Sequence, residues 1–157
     1  MKKRPLAREQ EISLSVFFPA YNEEENLAST VSNATKVLEK IASNWEIIIV
    51  NDGSTDRTAQ VASALAKKDK RVKIITHFPN KGYGEALKSG FRAAKYPWVA
   101  FTDSDGQFNF SEIEKLVLKT NEADLILGYR LKRADKFARR LGTWVWNLVA
   151  KVILGLS

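Results

Sequence analysis

Asp103 and Asp105 stand two residues apart, just past the short apolar run WVAFT (98–102). Two carboxylates at that spacing beyond a buried strand can converge on one hard cation. The cation would bridge to a diphosphate and neutralise charge that develops on it as it leaves. Gln107 offers a neutral oxygen beside them. The pair alone is ambiguous, because most Asp-x-Asp pairs are solvated turn residues or helix caps. The composition narrows the metal. With no cysteine and His77 as the single histidine, the ligands must be largely oxygen, which favours Mg²⁺, Mn²⁺ or Ca²⁺.

Other polar groups fall into short clusters. Asn51-Asp52-Gly53-Ser54-Thr55-Asp56 contains a turn glycine and two residues, Thr55 and Asp56, able to cap a helix. Asp52 is harder to explain by capping; a carboxylate there can accept from the N–H edge of a nucleobase. Pro19, Tyr21 and Glu23 would line the same crevice, with Tyr21 packed on base or ribose. Glu24 and Glu25 read as acids favoured at a helix N-terminus. Asn80-Lys81-Gly82-Tyr83-Gly84 has glycines that admit close backbone approach, with a helix start that favours anions. It is not a P-loop, because Gly-Lys-Ser/Thr is absent. Arg130 and Arg133 could hold phosphate bidentately, whereas Lys132 and Lys136 read as a solvated loop. His77 follows a strand and reads as structural.

The elements that must position these groups alternate. Strands are expected at 12–18 (stopped by Pro19), 45–51, 72–76, 98–102 and 123–129. Helices are expected at 23–42, about 57–68, about 83–95 and 111–120. The first helix carries a stripe of Leu27, Val31, Ala34, Val37, Leu38 and Ile41. The last has Ser111 and Glu114 spaced as a capping box. Five near-continuous apolar strands separated by helices predict an α/β fold, a mainly parallel Rossmann-like sheet with helices on both faces. In such sheets ligands bind beyond the carboxyl ends of the strands, where the polar clusters fall.

Charge is uneven along the 157 residues. Residues 1–10 carry four basic groups against Glu9, residues 129–157 carry seven against Asp135, and the body between them sums to −2 of the +7 total. We expect a basic N-terminal arm at 1–11, an α/β domain carrying the polar clusters at 12–134 (the nucleotide-sugar-binding domain under the resemblance given next), and an amphipathic helix at 135–157. Basic ends suit an anionic surface, while the near-neutral body argues against a broad nucleic-acid groove. Leu141, Trp144, Val145, Leu148, Val152 and Leu156 recur at helical spacing. That stretch fits a helix lying on a membrane, or a core helix whose partner lies outside this sequence. Exposed, it would drive self-association. No signal peptide is expected, and no apolar stretch reaches the ~20 residues needed to span.

Taken in order, FPAYNEE, VNDGSTD, NKGYGEALKSG, DSDGQF and GYR resemble the family 2 glycosyltransferases with the A-type fold. The resemblance covers about residues 12–140 and is nearest to the polyprenyl-phosphate sugar transferases. It implies transfer, with inversion, from a nucleoside diphosphate sugar to a lipid phosphate, with Mg²⁺ or Mn²⁺, on the cytoplasmic face of a membrane. A saccharide hydroxyl acceptor, or donor binding without turnover, is the alternative. Carried over, it places Pro19, Tyr21, Glu23 and Asp52 around the nucleoside and Lys81 near the donor. Asp103, Asp105 and Gln107 fall to metal and diphosphate, and Arg130 and Arg133 to phosphate. It further implies that the fold is incomplete at the C-terminus.

Overall fold

A computed structural model describes residues 12–106 and 109–128. By chain contacts it divides into Met1–Asp124 and Leu125–Ser157. All elements below belong to the first unit. In order they are β1 (Ser13–Ala20), α1 (Leu27–Ile41), β2 (Asn44–Asp52), α2 (Thr58–Lys68), β3 (Val72–His77), α3 (Tyr83–Ala93) and β4 (Trp98–Phe101). A 3₁₀ turn at Phe110–Glu112 then leads into α4 (Ile113–Val117).

The four strands form one sheet in the order β3-β2-β1-β4, and every pairing is parallel. The central strands β1 and β2 are buried along almost their whole length, which requires cover on both faces. On one face Val16, Phe18, Ile47 and Ile49 pack with Leu27, Val31, Ala34 and Leu38 of α1, Ala62 of α2, and Phe110 and Ile113. On the other, Phe17, Ile48 and Val50 pack with Ala86 of α3. The alternation Val16/Phe17/Phe18 thus serves two cores through the period of 2 of a strand.

The α/β class, the parallel sheet and the helices on both faces agree with expectation. Several details differ. β1 runs through Pro19 to Ala20. The β1–β4 ladder ends at Phe17, and beyond it the Pro19 carbonyl accepts from Ser104 Oγ at 2.8 Å. A strand residue's N–H and C=O point to one side, so the proline's missing donor falls where no ladder needs it. α1 begins at Leu27, with no acid in its first turn, because Glu23 and Glu24 are engaged by the next loop. Ser111 is not an N-cap: Asn109 accepts from its N–H in the preceding 3₁₀ turn. Finally, residues 123–128 form no strand, and Leu125 and Leu127 are exposed. An apolar run becomes a strand only where a ladder receives it. The predicted boundary at 134/135 lies outside the described residues.

Candidate functional site

The carboxyl ends of β1, β2, β3 and β4 each lead into one polar loop, and the loops are bound to one another. After β1, Asn22 adopts φ 57, a left-handed conformation that Asn tolerates better than most residues. Its Oδ1 accepts from the Thr55 N–H at 2.8 Å and its own N–H donates to Ser54 Oγ at 3.0 Å. The Glu23 N–H donates to Thr58 Oγ1 at 2.8 Å, and the Glu24 N–H to Asp56 Oδ2 at 3.1 Å. Glu24 Oε2 in turn accepts from the Arg57 N–H at 2.7 Å. Asp56 Oδ1 accepts from the Thr58 N–H at 2.9 Å, so Asp56 serves the first residue of α2 from one position before the N-cap, which is Arg57. The Tyr-Asn-Glu-Glu and Asp-Gly-Ser-Thr-Asp stretches are therefore two halves of one loop pair. Glu23 Oε2 accepts from Asn26 Nδ2 at 2.9 Å, while the Tyr21 ring stands half exposed.

The loop after β2 is also sewn to the loop after β3. Gly53 has φ 68, and a β-carbon there would lie 2.6 Å from the Asn80 nitrogen, so only glycine admits this approach. Asn80 Nδ2 donates to the Asp52 carbonyl at 2.6 Å. Asp52 is buried; its Oδ1 accepts from the Lys81 N–H at 3.0 Å and lies 2.6 Å from His77 Nδ1. Burial pushes the Asp52 carboxyl up, but the hydrogen bonds from the Lys81 N–H and His77 outweigh it and hold the carboxyl below the usual range. The Lys81 side chain itself is exposed.

Beyond β4 the acidic pair flanks a buried serine. Ser104 Oγ donates to the Pro19 carbonyl and its own carbonyl accepts from Thr30 Oγ1 at 3.2 Å. The turn is thereby pinned to both β1 and α1. Asp103 Oδ1 accepts from the Tyr83 hydroxyl at 3.0 Å; burial, then the neighbouring Asp103, push the Tyr83 phenol up.

Pro19, Tyr21, Glu23, Asp52, Lys81, Asp103 and Asp105 thus share the carboxyl edge of the sheet. Gln107, Arg130 and Arg133 lie outside the described residues. Among the described residues no group of three or more His, Asp or Glu could hold a metal ion. Asp103 and Asp105 offer two hard oxygen donors. That suits Mg²⁺ or Mn²⁺, since Mg²⁺ typically takes one or two carboxylates and completes its shell with phosphate and water. Sequence reasoning passed over Tyr83, whose place inside the Asn-Lys-Gly-Tyr-Gly loop was the available signal, and over Ser104, which sits between the two aspartates.

The model of glycosyl transferase family 2 matches residues 15–151. The chain is 37% identical over 128 residues to the dolichyl-phosphate beta-glucosyltransferase of Saccharomyces cerevisiae, covering 74% of this chain and 38% of that protein. It is 34% identical over 148 residues to the undecaprenyl-phosphate 4-deoxy-4-formamido-L-arabinose transferase of Pectobacterium atrosepticum, covering 92% of this chain and 45% of that one. The chain therefore spans less than half the length of these curated relatives. Glucosyl-3-phosphoglycerate synthase from Mycobacterium tuberculosis, solved with Mn²⁺, uridine diphosphate and phosphoglyceric acid, superposes with a TM-score of 0.56 at 25% identity, covering 75% of this chain and 44% of that one.

Proposed function

The chain belongs to glycosyl transferase family 2, and from that premise we propose that it forms the nucleotide-sugar side of an inverting transferase acting on a polyprenyl phosphate. The observation that carries this reading is the single polar edge: Asp52, Lys81 and the Asp103/Asp105 pair sit on loops joined by Gly53–Asn80 contact and the Tyr83–Asp103 hydrogen bond. The relatives named for dolichyl and undecaprenyl phosphates support the acceptor class.

In this proposal a phosphate oxygen of the acceptor attacks the anomeric carbon. The bond from that carbon to the diphosphate breaks, and the nucleoside diphosphate leaves with both electrons. The acceptor is already anionic, so no dedicated base is needed. Asp52 accepts from a base N–H, the Tyr21 ring covers base or ribose, and Pro19 and Glu23 shape the crevice. Lys81 meets the donor's negative charge. Asp103 and Asp105 would hold a divalent cation, with Gln107 completing the set; that ion would neutralise the diphosphate as it departs. Arg130 and Arg133 are assigned to phosphate. Catalysis then rests on positioning and charge stabilisation.

The acceptor's apolar tail places the reaction at a membrane surface, which we assign to the cytoplasmic face. Among the described residues no helix is long and apolar enough to cross a membrane, so the described part would work peripherally. The 135–157 stretch is the proposed membrane contact and the proposed seat of self-association.

Calorimetric titration of UDP- and GDP-sugars, with and without Mn²⁺, tests the reading. Metal-dependent binding of one nucleotide class is expected, and Asp105→Ala should abolish the metal-dependent part. An Asp105→Ala variant that keeps wild-type donor affinity in Mn²⁺ would overturn the metal assignment. Failure of every nucleotide to bind would overturn the donor site.

A further inference from the structure

His77 is buried at the last position of β3, and in the parallel register it pairs with Asp52, the last residue of β2. Register partners present their side chains to the same face of a sheet. The contact is therefore built into the strand pairing rather than made by a loop. His77 Nδ1 lies 2.6 Å from Asp52 Oδ1, and Nε2 lies 2.9 Å from Ser89 Oγ on α3. Both imidazole nitrogens are thus engaged, although the family-level reaction described above uses neither.

Donor and acceptor rules assign the proton between His77 and Asp52. The Asp52 carboxylate can only accept, so Nδ1 carries hydrogen and donates. Nε2 is held by the Ser89 hydroxyl, which can donate or accept. Both ring nitrogens of His77 are thereby satisfied. Asp52 Oδ1 receives a second hydrogen bond from the Lys81 N–H at 3.0 Å. With Oδ1 committed to the protein, a ligand N–H would be met by Oδ2.

We propose that His77 is a positioning residue of the nucleotide site: it holds the Asp52 carboxylate in the orientation that accepts from a nucleobase ring N–H, with Ser89 anchoring the opposite nitrogen of the ring. The inference rests on the reading of Asp52 as the base contact. Its consequence is selectivity. Uracil and guanine carry a ring N–H on their pairing edge, whereas the corresponding nitrogen of cytosine is an acceptor and would face a carboxylate. A fixed carboxylate rejects cytosine; one free to rotate discriminates poorly, because buried polar groups left unpaired are what enforce such selection.

The test is calorimetric titration of UDP, GDP and CDP into the wild-type chain and into His77→Phe, His77→Asn and Ser89→Ala, with the thermal midpoint of each. The wild type is expected to prefer UDP or GDP over CDP. His77→Phe keeps a ring but no donor; it should weaken the preferred nucleotide about tenfold, equivalent to about 1.4 kcal/mol, while CDP changes little. His77→Asn places an amide N–H near the former Nδ1 and should restore most of the preference. Ser89→Ala should give a smaller loss of the same kind. A purely structural histidine would lower the thermal midpoint and weaken all nucleotides equally, and an unchanged preference in His77→Phe overturns the proposal. Should His77→Phe fail to fold, Ser89→Ala decides: an unaltered preference there also overturns it. If the wild type binds none of the three, the donor site itself falls and this inference falls with it. Wild-type binding with intact selectivity in the variants sinks only the role of His77.

Discussion

Asn22 shows how much of a motif's chemistry is spent on the protein itself. Its left-handed backbone, its carboxamide on Thr55 and its N–H on Ser54 hold the first loop against the second. Asn22→Gly would keep the backbone and lose only the side-chain bonds, at about 1 kcal/mol. Asn22→Ala would add the strain of a left-handed β-carbon, for a total of about 2 kcal/mol. Urea midpoints of the two variants check the order; equal midpoints would show that the backbone carries no strain. Glu24 makes the same point. It reads as a helix-start acid, yet it pairs with Arg57 of the facing loop, and the Arg57 hydrogen bonds hold its carboxyl below the usual range. Residue type marked these positions as special, but not whether the partner would be ligand or loop.

At the scale of elements, α3 sits on β1 because Gly90 lets it approach. A β-carbon on Gly90 would lie 2.3 Å from Phe17 Cδ2. Phe17 has little room to yield: it stacks on Phe101 at 5.2 Å, and Phe91 meets the two rings edge-on at 5.0 and 5.6 Å. Gly90→Ala should therefore destabilise by about 1–3 kcal/mol, despite a helix propensity gain near 1 kcal/mol. Thermal unfolding measures the sign, and a more stable variant would mean that Phe17 repacks freely. Element type was legible from period: the α1 stripe and four of the five apolar runs became what their spacing predicts. Ends were less so. The capping box at Ser111 and, over the described residues 123–128, the expected last strand do not form, because a cap and a ladder both depend on what lies opposite.

At the scale of the molecule, the sheet carries a second buried charge at the end away from the polar loops. Glu46 near the start of β2 accepts from Ser15 Oγ and the Lys95 N–H, both at 2.7 Å, and pairs with Lys73 Nζ at 2.6 Å. Burial alone would raise its carboxyl, but bonds from Lys73, Ser15 and the Lys95 N–H hold it below the usual range. Asp52 is depressed likewise, and Asp69 by its hydrogen bonds from Arg71. A carboxyl whose folded value lies below its unfolded value, about 4, stabilises fully above that pH and loses this contribution as pH falls through the folded value. Stability should thus be level above about pH 5 and drop below about pH 4. Glu46→Gln should make that drop shallower in pH-dependent urea titrations; an unchanged acid limb would show that Glu46 does not contribute.

By itself the sequence determined the α/β alternation, the two-sided burial of the central strands, and the edge at which the polar clusters gather. Periodicity and strand direction are local properties, and the crevice rule follows from them. Tertiary structure alone decided the partners: that Glu24 meets Arg57, that Gly53 lies against Asn80, that Tyr83 reaches Asp103, and that His77 stands beside Asp52. Each of these contacts joins residues on different loops or strands, and its geometry depends on strand register and loop path, which no spacing along the chain encodes.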